Sequence, residues 1–173
     1  MTLKETLSLV RADPDYYVLR LANSILGGGF YSSRLSIDLR QKAGLVYYVG
    51  GAVTAGKTRS TLAVNYGCDP PNVSKARALI ERDLRAMQTS LVTPSELQRS
   101  KAELLAAIPL NESSEDAIAS GLLLRSLLGL PLDEAVIAAN HYASTTAEQI
   151  RDAFAKWVRV SDFVQVVTGP PPQ

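Results

Sequence analysis

Histidine and cysteine are almost missing from this chain: 173 residues contain one of each, His141 and Cys68. A lone cysteine closes no intramolecular disulfide, and one histidine plus one cysteine cannot supply the three or four ligands of a zinc site held by this chain alone. Charge of one sign is missing too. Eighteen Lys and Arg stand against 17 Asp and Glu, a formal net charge of +1, with no segregated basic stretch. That balance offers no broad field to a polyphosphate backbone, so no nucleic-acid partner is expected. Long apolar runs are also lacking, since the richest stretch, residues 121–130, is interrupted by Arg125 after four residues. No membrane span is expected, and the first five residues lack the apolar core of a secretory signal. Because a strand, read over Thr6 to Val10, lies so near Met1, the chain is consistent with a fragment of a longer polypeptide. The compartment stays open: a soluble chain, cytoplasmic or periplasmic if bacterial.

What is present is the composition of a globular domain, with 46% hydrophobic and 20% charged residues. One domain is read over residues 1–169, followed by a tail, 170–173. Asp13-Pro14-Asp15 signals a helix start, and Val18, Leu21, Ala22, Ile25 and Leu26 recur at helical spacing. That helix is expected to stop at Gly27, where a left-handed backbone costs little. Ser32 or Ser33 can cap a second helix, carrying Leu35 and Leu39 inward and ending near Gly44. Leu45 to Val53 and Ser60 to Tyr66 read as strands of an antiparallel hairpin across a polar turn, residues 54–59. A helix is expected from Val73 to Met87. Thr93-Pro94-Ser95-Glu96 is a capping box opening a long helix that Pro109 should kink or end. Further helices are expected through Leu122 to Leu128, from Asp133-Glu134, and after a second capping box, Thr145 to Glu148, before a final strand from Phe163 to Val167. Strands at both ends with helices between them predict an α+β two-layer sandwich, a mostly antiparallel sheet with helices on one face.

Several constellations could carry chemistry. Gly27-Gly28-Gly29 follows a helix rather than a strand, lacks the spacing of a dinucleotide fingerprint, and lacks the Lys-Ser/Thr of a P-loop. It reads either as a helix-to-helix connection or as backbone facing a substrate. His141 has no acidic or thiol partner nearby and reads as a structural or surface residue. The carboxylates of residues 112–116 suit the start of a helix. Arg40 and Tyr47, seven residues apart across a helix-turn-strand, are both hydrogen-bond donors able to hold a peptide carbonyl, although on spacing alone the pair reads as two solvated side chains.

The segment from Leu21 to Leu35, with its Gly27-Gly28-Gly29-Phe30-Tyr31-Ser32-Ser33 core, followed by Leu39-Arg40-Gln41-Lys42-Ala43-Gly44-Leu45-Val46-Tyr47, resembles the pitrilysin and insulinase family of zinc metallopeptidases, which includes the mitochondrial-processing peptidases. Residues 92–102, Gly129-Leu130-Pro131, Thr145 to Ile150 and Val167-Thr168-Gly169 resemble later landmarks of the same domain. The family pairs related α+β domains, one carrying the zinc motif H-x-x-E-H and another completing the substrate chamber. This chain lacks that motif. The resemblance therefore implies the metal-free C-terminal half, with no cofactor of its own, zinc in a homologous partner domain or subunit, and a peptide substrate between the two. It implies that Arg40 and Tyr47 bind the substrate main chain and that Tyr47 is the donor to the carbonyl under attack; the glycine segment itself adds a possible backbone contribution from Gly27, Gly28 and Gly29. Tyr48 should point to the other sheet face. A non-catalytic assembly subunit of the same fold is the alternative, and an independent small-molecule-binding domain is a third reading. An isolated half should expose an apolar surface through which it can self-associate.

Overall fold

A computed structural model describes residues 1–29 and 31–169; Phe30 of the glycine-rich segment and the tail at 170–173 lie outside the described residues. Four strands form one antiparallel sheet: β1 (Thr2–Leu7), β2 (Tyr48–Ala55), β3 (Ser60–Gly67) and β4 (Val164–Val166), in the order β2-β3-β1-β4. Among the described residues the α-helices are α1 (Asp15–Asn23), α2 (Val73–Thr89), α3 (Pro94–Leu110), α4 (Glu115–Leu128), α5 (Glu134–Ser144) and α6 (Ala147–Trp157). This is the α+β arrangement expected. Leu3 and Leu7 of β1 and Leu62, Val64 and Tyr66 of β3 alternate toward the helices and are buried with Leu21, Ile25, Ile80, Leu84, Ile150 and Phe154. α1 and α2 both pack against α6, while α3 and α5 pack together farther along α1.

The first strand lies earlier than Thr6 to Val10. Its pattern is Leu3, Glu5, Leu7 inward, and the charged residue in the middle conceals the period of two. Glu5 is buried on the core face of a central strand; one carboxylate oxygen accepts from the Arg159 backbone N–H at 2.8 Å, and the other has no partner. Burial raises its pKa from 4.5 to about 7.

Other boundaries shift for local reasons. β2 runs from Tyr48 to Ala55 rather than from Leu45 to Val53, because the chain is still closing the preceding turn at Leu45, whose N–H donates to the Leu39 carbonyl at 2.9 Å. The second capping box lies one residue later than expected: Thr146 and Gln149 exchange its two bonds, while the buried Thr145 hydroxyl donates to the His141 carbonyl at 2.6 Å. The Thr93–Glu96 box forms as read, and Pro109 sits in the last turn of α3.

Glu96 does more than cap. Its carboxylate also receives two bonds from Arg34, Nε at 2.7 Å and Nη2 at 2.9 Å, clamping the start of α3 to the segment that precedes Leu35. The guanidinium, aided by the Thr93 N–H, lowers the Glu96 pKa from 4.5 to about 2. A depressed carboxylate stabilises the fold fully above its unfolded value, and that stabilisation fades as pH falls from about 4.5 toward about 2. Glu96→Gln should therefore cost on the order of 2–3 kcal/mol near neutral pH, with denaturation curves of the two proteins converging in acid.

Candidate functional site

The glycine-rich segment is shaped by close packing. After Asn23, α1 widens into a π-helical turn, Ser24–Gly28, and crosses the inward face of β2. A Cβ on Gly27 would stand 2.6 Å from the Gly51 nitrogen, and the Asn23 side-chain amide donates to the Gly51 carbonyl at 3.0 Å. None of Gly27, Gly28 or Gly29 has a positive φ, so the expected left-handed stop is corrected: close helix-to-strand approach, invisible to turn chemistry, selects glycine here. Gly27→Ala sets a methyl against the Gly51 main chain on one side and 3.0 Å from the Leu35 Cδ1 on the other and should destabilise by about 1–3 kcal/mol, read as a lowered urea midpoint with an unchanged slope. Beside this crossing lies a cleft of about 310 Å³ lined by Arg20, Asn23, Ser24, Gly28, Gly51 to Val53 and Leu104. Of the three glycines, Gly28 lines it.

Arg40 and Tyr47 stand on either side of a tight reversal. Arg40 belongs to the last turn of a second π-helical stretch, Ser36–Lys42, a geometry that recurs at functional sites. The chain then turns at Gly44, whose φ of +60° is the left-handed conformation glycine tolerates best. Tyr47 follows just ahead of β2, its N–H donating to the Gly67 carbonyl at 2.8 Å. The two side chains have different neighbours. The Arg40 guanidinium lies over the Tyr31 ring at 5.0 Å from the centroid, a cation–π contact that leaves its N–H groups to other acceptors. Tyr47, 65% exposed, donates its hydroxyl to the Asp69 carboxylate at 2.7 Å. That bond, with the carboxylate's charge, raises the phenol pKa above its ordinary value. Tyr48 begins β2 opposite Gly67, its ring over that glycine.

Two neighbours escaped the sequence reading. Asp69, followed by Pro70 and Pro71, looks only like the end of a strand, and Tyr31 looks like loop; their roles come from the folding back of distant segments. The expectations for His141 and the acidic stretch fit what surrounds them. His141 stacks on Tyr17 at 4.5 Å between ring centroids with 7° between planes. Glu112 pairs with Arg125, and Glu115 and Asp116 open α4.

The described residues do not fit a zinc site. Among the described residues no three His, Cys, Asp or Glu side chains converge to hold a metal. His141 is engaged in the ring stack, and the Cys68 sulfur sits 3.5 Å from that of Met1. No described helix is long and apolar enough to cross a membrane.

Residues 5–104 match the family described as the peptidase M16 inactive domain, and the chain belongs to that family. It is 30% identical over 95 residues to YmfF of Bacillus subtilis (strain 168), a probable inactive metalloprotease, covering 55% of this chain and 22% of that protein. Among solved structures, the peptidase M16 inactive domain from Pseudomonas fluorescens superposes with a TM-score of 0.83 at 26% identity, over 98% of this chain and 42% of that one. A protease from Helicobacter pylori shares the fold with a TM-score of 0.83 at 15% identity, over 94% of this chain and 39% of that one. The chain thus spans less than half the length of these relatives.

Proposed function

We propose that this domain is the metal-free, substrate-facing half of a two-part zinc endopeptidase, with the zinc in a homologous partner domain or subunit and an extended peptide held between them. The observation that carries the reading is the pair of donors Arg40 and Tyr47, both exposed and both turned to neighbours at the surface, on a domain of the M16 inactive family. Zinc in the partner domain would activate the attacking water; this chain would contribute no metal ligand to it. The work of this chain is to orient. Arg40, fixed by its stack on Tyr31, presents N–H groups to a substrate carbonyl. Tyr47 transfers its hydroxyl bond from Asp69 to the carbonyl under attack, giving up a bond to a charged acceptor and meeting the negative charge on the carbonyl oxygen as it develops. Gly28, lining the cleft beside β2, leaves main chain accessible to a peptide.

The alternative, a non-catalytic assembly subunit, draws support from the Tyr47–Asp69 bond itself, which leaves the phenol satisfied without substrate. Metal analysis bears on both readings: purified chain should carry no stoichiometric zinc and cut no peptide. Chelator-sensitive zinc accompanied by peptidase activity in the isolated chain would contradict the proposal.

A further inference from the structure

From residue 111 to residue 137 no side chain is buried, although this stretch contains the most apolar sequence in the molecule. α4 buries none of its residues. Leu110, Ile118, Leu122, Leu123, Leu124, Leu127, Leu132 and Val136 are each between 38% and 72% exposed. Ile118 and Leu124 border a loose cleft of about 490 Å³ between α4 and the body, while Leu123 and Leu127, four residues apart, are not among the residues lining it. A helix apolar around most of its circumference is normally a buried helix, and monomers do not ordinarily expose so many large aliphatic side chains together.

The charges around this surface indicate what covers it. Residues 111–136 hold five carboxylates, Glu112, Glu115, Asp116, Asp133 and Glu134, one arginine and no lysine. Glu112 pairs with Arg125 and Glu134 with Arg11, whereas Glu115, Asp116 and Asp133 are exposed. A second copy of this chain docked face to face would set one acidic rim against another. An anionic bilayer would be repelled in the same way.

We propose that α4 and its flanking segments form a docking surface for a protein partner that presents a leucine-lined helix bordered by lysines and arginines. The i, i+4 ridge of Leu123 and Leu127 suits the groove of a second helix, and the acidic rim selects its flanks. This inference goes beyond the reading of Arg40 and Tyr47 and stands whether or not the partner carries zinc.

The test uses a fluorescent synthetic helical peptide with leucines at i, i+3, i+4 and i+7 and lysines elsewhere, titrated with the whole chain and followed by anisotropy. The same peptide with glutamate in place of lysine is the control. The lysine peptide should bind at least about tenfold more tightly than the glutamate peptide at low ionic strength, and less tightly in about 1 M salt, where screening reaches ~3 Å. Leu123→Glu with Leu127→Glu should weaken binding at least about tenfold despite adding negative charge, and Leu123→Ser with Leu127→Ser should do the same without changing charge. Both positions are exposed, so circular dichroism should show unchanged folds. Equal or tighter binding by the glutamate variant would reduce the effect to charge attraction and overturn the proposal. So would a stable homodimer of the unmodified chain that the serine variant abolishes, or binding of the unmodified chain to phosphatidylserine vesicles that the serine variant abolishes.

Discussion

In the proposed assembly with a zinc-bearing half, Tyr47→Phe should lower turnover by about 100-fold to 1,000-fold, the usual effect of losing one donor aimed at a developing oxyanion, while the Michaelis constant changes much less. The reason is differential binding. A carbonyl oxygen accepts a phenol hydrogen bond weakly in the ground state and strongly once it carries negative charge, so the loss falls mainly on the rate. For the proposed role the hydroxyl, which donates to Asp69 in the chain alone, sits on a side chain exposed enough to change acceptors. Arg40→Ala should behave differently. A guanidinium that holds a neighbouring carbonyl acts before and during the reaction, so both substrate affinity and turnover should fall. Steady-state kinetics of the two variants, each verified as folded and paired with the zinc-bearing half, separates the roles. If both cut a model peptide at the unmodified rate, the roles given to Arg40 and Tyr47 are wrong and the reading of this chain as a non-catalytic assembly subunit moves ahead.

The second large effect concerns stability. Glu5 has a folded pKa of about 7 against 4.5 for the free group, because burial penalises the carboxylate and only one of its oxygens finds a donor. Its sign is opposite to that of Glu96. The folded state holds this proton more tightly than the unfolded chain does, so stability is full below about pH 4.5, declines as pH rises through the window to about 7, and levels off above it. The span corresponds to roughly 2–3 kcal/mol. Glu5→Gln removes the titration, so the variant's stability relative to the unmodified protein should improve by that amount between pH 5 and pH 8. Urea denaturation at the two pH values measures it, and a constant difference between the proteins would show that Glu5 ionises normally in the fold.

Glu5 also shows where sequence reading stops. The helices with uninterrupted apolar spacing, such as α2 with Ala76, Ile80, Leu84 and Met87, lie close to where periodicity puts them. β1 was displaced because a buried acid breaks the alternation that marks a strand. The second capping box slipped by one residue because two threonines and two possible N3 partners, Glu148 and Gln149, satisfy the same local rule; tertiary burial of Thr145 decides between them. At the candidate site, the Arg40–Tyr47 spacing and the intervening Gly44 turn are local and readable. The acceptor at Asp69, the ring of Tyr31 beneath Arg40 and the contact between Gly27 and Gly51 depend on segments that meet only after folding. The long reach of the Arg34–Glu96 clamp, 62 residues apart, likewise left no local trace.

The proposal that this domain faces substrate across from the metal half is tested most directly by a photo-reactive benzoylphenylalanine placed at Tyr47 in the assembled enzyme, irradiated with a labelled peptide substrate. Cross-linking to the peptide, competed away by excess unlabelled substrate and lost when the zinc-bearing half is omitted, is the predicted result. Cross-links confined to protein segments, unaffected by peptide in an assembly shown to cut that peptide, would contradict it.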